Sequence, residues 1–171
     1  MTAPWPRPLR RARGDARPTA PVTVVLASPG SPISEAAIER AASLADGNLA
    51  AVVTIARVYG SAFGLPNPGL LPTRREREEQ RAIVSAAIEA LGRRDVEADG
   101  QVVVTRNAGR AITRIARSRA ASYVVLDTRP QGRLRRLLEG DPARALRRGL
   151  AQRATLVIVT SEVDHARPER T

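Results

Sequence analysis

Four arginines that lie close together in the chain have the chemistry to bind an anion. They follow an apolar run that ends at Leu126, and they are Arg129, Arg133, Arg135 and Arg136. A guanidinium group can hold a phosphate through two parallel hydrogen bonds, so this group could bind phosphate without a glycine-rich loop. The alternative interpretation is a solvated basic surface, because all 28 basic residues of the chain are arginine.

Small and acidic residues at the ends of two apolar runs are the other candidates for a site. Ser28, Gly30 and Ser31 follow the first run, and Asp127 follows the run before the arginines. Ligands of open α/β sheets bind at such strand ends. The chain has no cysteine, a single histidine (His165) and no Gly-x-Ser-x-Gly segment. The sequence therefore predicts neither a catalytic residue nor a metal site, and it predicts that the protein is not an enzyme. Slow hydrolysis of ATP is the one activity left open, and only if the protein binds nucleotides.

The pattern of apolar residues indicates the elements that would position these side chains. Runs rich in Val, Leu and Ile predict strands at 22–27, 49–56, 95–105, 123–126 and 156–159. Helical spacing predicts four helices between these strands. The first begins at Ser31 or Ser34 and ends at 45, and the second begins near Thr73 and ends at 92. The third begins at Asn107 or Gly109, and the fourth runs from Asp141 to 153. Strict alternation of continuous apolar strands with helices predicts a doubly wound α/β fold, in which helices flank a five-stranded parallel sheet.

The composition predicts one domain between two tails. Residues 1–20 contain four prolines and five arginines, which is typical of a disordered basic tail. Residues 21–160 form the predicted domain, and residues 161–171 form a polar C-terminal tail. No apolar stretch reaches the roughly 18 residues of a membrane span, and no leader pattern is present, so a cytoplasmic location is expected.

Two segments of the predicted domain carry a family resemblance. Gly30 and Ser31 match the end of an Asp-Gly-Ser motif that closes the first strand in universal stress proteins, and the basic and apolar run 134–140 resembles the segment before the family's last motif glycine. The resemblance covers residues 21–160. It implies an adenine nucleotide alpha hydrolase-like fold with strand order 3-2-1-4-5. It also implies a homodimer joined along the fifth strand, through Leu156, Val157, Ile158 and Val159.

The chain departs from the family at the positions that contact a nucleotide. Of the family motif Gly-x2-Gly-x9-Gly-Ser/Thr only Gly140 is present, because Asp127, Pro130 and Asp141 occupy the other positions. Aspartate and proline do not readily adopt the backbone conformations that glycine gives a phosphate loop. Asp141 would cap the helix that follows, and its carboxylate would lie where a phosphate binds. The sequence therefore predicts that ATP binding is lost or weakened.

Three functions follow as hypotheses. The first is a non-catalytic stress-response or regulatory protein without a cofactor, which acts as a homodimer through contacts with other proteins. The second is an ATP- or AMP-binding universal stress protein that uses the loop from Arg129 to Arg136 for the phosphates. The third is a basic accessory protein associated with nucleic acid, in which the arginines of the N-terminal tail and of the loop from Arg129 to Arg136 would contact phosphates. We expect no nucleic-acid partner, because the chain has only four aromatic residues to stack on bases. We also expect no membrane partner, because no apolar stretch is long enough to span a bilayer.

Overall fold

The computed structural model describes residues 24–46, 49–58, 71–128, 142–150 and 153–160. The predicted tails lie outside these ranges, as do six predicted site residues: Arg129, Arg133, Arg135, Arg136, Gly140 and Asp141. Within the described ranges, no helix has the length and apolar character needed to span a membrane.

Five parallel strands form one sheet. They are β1 (Val24–Ser28), β2 (Ala50–Arg57), β3 (Ala98–Thr105), β4 (Tyr123–Thr128) and β5 (Thr155–Thr160). The helices of the described ranges are α1 (Glu35–Ala45), α2 (Arg74–Gly92), α3 (Ala108–Ser118) and α4 (Pro142–Leu150). The strand order is β3-β2-β1-β4-β5 and every pairing is parallel. The predicted fold class and the strand order implied by the resemblance are both confirmed.

Apolar side chains cover both faces of the sheet. Val25 on β1 packs in the layer that contains Ile112 of α3 and Leu146 of α4. Leu26, the next residue, packs in the opposite layer, which contains Leu91 of α2. Fully burying one such aliphatic side chain stabilises a fold by about 1.5–3 kcal/mol. The continuous apolar strands follow from this arrangement, because a strand covered by helices on both sides has no solvent face.

Hydrogen bonds at the first residues of two helices decide between the predicted starts. The hydroxyl of Ser34 accepts the N–H of the residue three positions on, at 3.3 Å, so Ser34 and not Ser31 caps α1. The side chain of Asn107 does the same at 3.0 Å, so α3 starts after Asn107 and not at Gly109. Such caps satisfy N–H groups that have no partner within the helix.

Helix α2 has the predicted bounds, and α4 is shorter than predicted. Thr73 accepts the N–H of Glu76 at 3.2 Å, and the Glu76 carboxylate accepts the N–H of Thr73 at 2.7 Å. This reciprocal pair is a capping box, and α2 ends at Gly92 as predicted. Helix α4 is described over Pro142–Leu150, and the N–H of Arg153 closes a turn on the Leu150 carbonyl at 2.8 Å, so the prediction that the helix includes residue 153 is wrong.

Two strand boundaries differ from the predictions by more than one residue. Strand β3 begins at Ala98 and not at residue 95, because Asp95 adopts a left-handed conformation with φ of 58° in the turn after α2. Strand β4 continues past Leu126, since Asp127 and Thr128 both pair with residues of β5. Asp127 is therefore part of the strand and does not follow it.

Candidate functional site

The strand order reverses at the boundary between β1 and β4. Strands β2 and β3 lie on one side of β1, and β4 and β5 lie on the other. The pairing between β1 and β4 extends to Ala27 and Leu126. The next residues of the two strands, Ser28 and Asp127, therefore lie at adjacent strand ends. Ligands of open α/β sheets bind in the crevice at such a reversal. The structure thus brings predicted site residues together here, and their role in binding stays a prediction.

Ser28 uses its side chain to close the loop between β1 and α1. Its hydroxyl is completely buried, accepts the N–H of Ser31 at 3.0 Å and donates to the Ser31 carbonyl. The two serine hydroxyls also lie 3.1 Å apart. These bonds hold the loop in a compact turn, and they occupy the Ser28 hydroxyl and the Ser31 N–H that a bound anion would need.

Gly30 is required by the geometry of the same loop. Its φ is +105°, a conformation that L side chains rarely adopt, and a Cβ placed on it would lie 2.8 Å from the carbonyl oxygen of Ile55. The loop therefore passes directly against the backbone of β2. Glycine is needed here because any side chain would push the loop away from the sheet.

Gln80 of α2 holds the loop from the other side. Its Nε2 donates to the Gly30 carbonyl at 3.0 Å, and its own carbonyl accepts the hydroxyl of Thr54 at 3.4 Å. Its Oε1 is buried and has no hydrogen-bond partner among the described residues. Gln80 was not among the predicted site residues. It follows a run of arginines and glutamates, so the sequence does not distinguish it from a glutamine on the exposed face of a helix.

Asp127 occupies the crevice with a buried carboxylate. The residue is 1% exposed, and its Oδ2 accepts the backbone N–H of Ser34 at 2.5 Å. Ser34 is the residue that caps α1, so the carboxylate lies at the positive end of that helix. The side chain therefore joins β4 to the start of α1 and brings negative charge to the place where a ligand would bind. Of the two predicted caps, Ser31 and Ser34, the structure selects Ser34, and its contact with Asp127 was not predicted.

Metal chemistry has no support in the described part of the chain. No group of three or more His, Asp or Glu side chains comes together there to hold a metal ion.

The arginine group, Gly140 and Asp141 lie outside the described ranges, so the crevice is built here from Ser28, Gly30, Ser31 and Asp127. What this arrangement does chemically is to fix a loop and to present a carboxylate.

Among the residues that the structure describes, strand β5 forms one edge of the sheet and pairs with β4 alone. Its four apolar residues are half-buried: Leu156, Val157, Ile158 and Val159. Leu156 packs against the layer beneath α3 and α4, whereas Val157 and Val159 pack against the opposite layer. The edge thus keeps partly exposed apolar side chains next to unpaired strand backbone.

Two surface grooves lie away from the crevice. One of about 370 Å³ runs between α2 and β3, with Val84, Ile88 and Val104 among its lining residues. The other, of about 600 Å³, runs between α3 and α4, and four of its eight lining residues are arginines.

Comparison with solved structures gives the same fold. A universal stress protein family member from Burkholderia pseudomallei has a TM-score of 0.58 and 20% identity, over 81% of this chain and 96% of that one. The Archaeoglobus fulgidus universal stress protein in complex with dAMP has a TM-score of 0.57 and 19% identity, over 80% and 96%. A universal stress protein in complex with cAMP has a TM-score of 0.57 and 20% identity, over 83% and 98%.

A search of curated proteins found no match to the sequence. The model of the universal stress protein family matches residues 21–160, which is the whole of the predicted domain. The match agrees with the parallel sheet and its strand order. The chain therefore belongs to the universal stress protein family.

Proposed function

We propose that this chain is a non-catalytic cytoplasmic stress-response or regulatory protein in which adenine-nucleotide binding is lost or weakened. In this proposal it carries no cofactor and acts as a homodimer through contacts with other proteins. The observation that carries the proposal is the buried carboxylate of Asp127, which is bonded to the N–H of Ser34 within the crevice between β1 and β4.

Electrostatics supports weak binding of phosphate in this crevice. Two like unit charges 4 Å apart repel by about 1 kcal/mol in water and by about 4 kcal/mol at the effective dielectric of a protein surface. A phosphate near Asp127 would meet this repulsion, whereas a glycine at the same position would present only backbone atoms and no charge. Each 1.4 kcal/mol costs a factor of ten in affinity, so the carboxylate alone can account for a large loss.

The hydrogen bonds of the β1–α1 loop support the same conclusion. The N–H of Ser31 and the hydroxyl of Ser28 bind each other at 3.0 Å, and the N–H of Ser34 is bound by Asp127. A ligand that used these donors would first have to break those bonds. Donors already paired within the protein contribute little net binding energy.

Dimerisation is supported by the edge strand β5. Half-buried apolar side chains from Leu156 to Val159 lie on a strand whose outer edge has no partner in the described sheet. Pairing with a second copy would satisfy the strand backbone and cover these side chains. The proposed interface therefore follows from both exposure and backbone chemistry.

Nucleotide binding is the second candidate function. Two solved universal stress proteins of the same fold hold dAMP or cAMP. In this alternative, the loop from Arg129 to Arg136 would replace the missing glycines as the phosphate contact. The Asp127 carboxylate weighs against it, because the arginines would have to overcome that charge.

Thermal melting with ligands separates the two candidates. The ligands are Mg-ATP and AMP, with tripolyphosphate and sulfate as controls for anion binding. A ligand at a hundred times its Kd adds about 2.7 kcal/mol, which raises the Tm of a domain this size by about 5–10 °C. We expect no shift. A shift with ATP and AMP but not tripolyphosphate would contradict the proposal, and a shift with every polyanion would indicate the arginine loop.

Two variants test the physical cause of weak binding. The Asp127→Asn variant keeps an oxygen to accept the Ser34 N–H but removes the charge. The triple variant Asp127→Gly, Pro130→Gly, Asp141→Ser restores the family motif. Each is compared with its own ligand-free Tm. We expect ATP affinity to rise in Asp127→Asn and further in the triple variant, whereas unchanged affinity in both would show that these positions are not the cause.

A further inference from the structure

Helices α3 and α4 place a set of arginines on one surface. The α3–α4 groove is lined by Asn107, Arg110, Thr113, Arg114, Arg117, Ala145, Arg148 and Gly149. Its four arginines are exposed. On α3 they lie at positions i, i+4 and i+7, so they form one stripe about 10 Å long at 1.5 Å per residue. Sequence analysis did not identify this group, because its members come from two separate helices.

Within helices α3 and α4, no acidic residue balances the charge of this surface. Neither α3 nor α4 contains Asp or Glu, and together they contain six arginines. Helix α2 differs, since several exposed arginines there pair with glutamates four residues away: Arg74 with Glu78, Arg75 with Glu79 and Arg93, just beyond its end, with Glu89. In the described part of the chain, Arg110, Arg114 and Arg148 form no ion pair. The basic charge is thus concentrated on one side of the sheet.

Close packing of the two helices gives the surface its shape. A Cβ on Gly109 would lie 2.5 Å from the Cβ of Ala145, and a Cβ on Gly149 would lie 2.8 Å from the side chain of Thr113. The contacts advance together along both helices, so the helices run parallel. Arg117 also donates from Nη2 to the Gly149 carbonyl at 2.5 Å. The result is a shallow groove with a floor of small residues between arginines on α3 and α4.

We propose that the α3–α4 groove binds the phosphate backbone of duplex nucleic acid without sequence preference. Arginine holds phosphate through a rigid planar fork of N–H donors. Arginines without an acidic partner increase the affinity of a protein for a duplex, because their contacts with phosphates release the counterions of the duplex. The proposal goes beyond the regulatory function above and does not depend on it. It also concerns a different surface from the tail and loop on which the sequence-based hypothesis rested.

The side chains of the groove favour this partner over two others. Neither helix has an aromatic residue, so bases have no stacking platform and a single strand gains little. The large apolar side chains of the two helices are buried: Ile112, Ile115, Leu146 and Leu150. An amphipathic surface that inserts into a bilayer needs exposed apolar residues, so a membrane fits less well. A double-stranded backbone needs only a row of cations.

The test compares two triple variants of the full chain that carry the same charge. The groove variant is Arg110→Gln, Arg114→Gln, Arg148→Gln, and the control is Arg74→Gln, Arg75→Gln, Arg93→Gln. Each removes three positive charges and lowers the net charge from +11 to +8. Binding of a fluorescent 20-base-pair duplex of mixed sequence is followed by anisotropy between 50 and 200 mM salt. Circular dichroism checks that both variants are folded.

We expect the wild-type chain to bind the duplex at 50 mM salt. The groove variant should lose at least about tenfold in affinity, and the slope of log K against log salt should become shallower by about 3, one for each lost phosphate contact. The control should lose less than about threefold. Equal losses in both variants would attribute binding to net charge alone and overturn the proposal. An unchanged groove variant, or binding to phosphatidylserine vesicles without binding to duplex, would also overturn it.

Discussion

The backbone N–H of Ser34 donates to Oδ2 of Asp127 at 2.5 Å, although the two residues are 93 positions apart in the chain. This bond connects the start of α1 to β4 at the point where the strand order reverses. Hydrogen bonds to a charged group contribute about 1.5–3 kcal/mol, and a buried donor left without a partner is costly. The same carboxylate therefore stabilises the fold and opposes anion binding.

Removing the carboxylate should destabilise the protein. We expect Asp127→Ala to lose about 1.5–3 kcal/mol of unfolding free energy, or about 3–12 °C in Tm, and Asp127→Asn to lose less because it keeps an acceptor. Asp99→Ala is the control, since the Asp99–Arg119 ion pair is partly exposed and such pairs contribute about 1 kcal/mol or less. Urea unfolding measures all three. Equal stability of Asp127→Ala and wild type would contradict the role given to this bond.

The loop at Gly30 should not tolerate a side chain. Gly30→Ala places a Cβ 2.8 Å from the Ile55 carbonyl oxygen at a φ of +105°, so we expect a loss of about 1–3 kcal/mol. Gly92→Ala is the matched control, because nothing lies within 4 Å of the added Cβ. Alanine at that helix position should be neutral or stabilise by up to about 1 kcal/mol. Thermal melting compares the two, and similar effects would contradict the close approach of the loop to β2.

Gly149 and Thr113 should be energetically coupled. A Cβ on Gly149 would lie 2.8 Å from both Cγ2 and Oγ1 of Thr113, so Gly149→Ala should cost about 1–3 kcal/mol. Thr113→Ala removes both atoms and also the hydrogen bond from Oγ1 to the Gly109 carbonyl. The double variant should therefore be less destabilised than the sum of the two single variants, by about 0.5–3 kcal/mol in a double-mutant cycle. Additive effects would show that α3 and α4 do not touch here.

The capping box at α2 predicts a pH dependence. Hydrogen bonds from the backbone N–H and the hydroxyl of Thr73 hold the pKa of Glu76 below its usual value of 4.5. A carboxyl whose pKa is lower in the folded state contributes stability above its unfolded pKa, and this contribution is lost as the pH falls through the folded pKa. Carbon-13 NMR titration should give Glu76 a pKa below the usual value of 4.5.

Two variants check this origin of the shift. Thr73→Val should raise the pKa of Glu76 only part of the way to its usual value, because it removes the hydroxyl but keeps the backbone N–H that donates to the carboxylate. Glu76→Gln should remove the acid-dependent part of the stability, since an amide accepts the same bonds without titrating. A wild-type Glu76 whose pKa is not below its usual value would contradict the capping box.

Edge-strand variants test the proposed dimer. We expect Ile158→Arg to give a monomer by light scattering, because burying an unpaired charge in an interface is costly. Val104→Arg makes the same chemical change on β3, the opposite edge, where Val104 is 48% exposed. That variant should remain dimeric. A dimeric Ile158→Arg protein, or a monomeric Val104→Arg protein, would place the interface elsewhere.

Local patterns in the sequence were enough to predict the elements of the fold. Continuous runs such as Val24 to Ala27 require a strand covered on both faces, and β-branched residues favour that conformation. Thr73 followed by Glu76 predicts a helix start without any tertiary information. The predicted boundaries were wrong at Asp95, where a left-handed turn precedes β3, and at Asp127, which pairing with β5 draws into β4.

The tertiary structure alone decided how distant residues are combined. No pattern relates Asp127 to Ser34, Gln80 to Gly30, or the arginines of α3 to Arg148 of α4. Periodicity records which face of an element is buried, because burial repeats with the helix or strand period. It does not record which element lies opposite, since that depends on packing and strand order across the whole domain. The site and the basic surface arise from such long-range contacts, so they became visible only once the sheet had assembled.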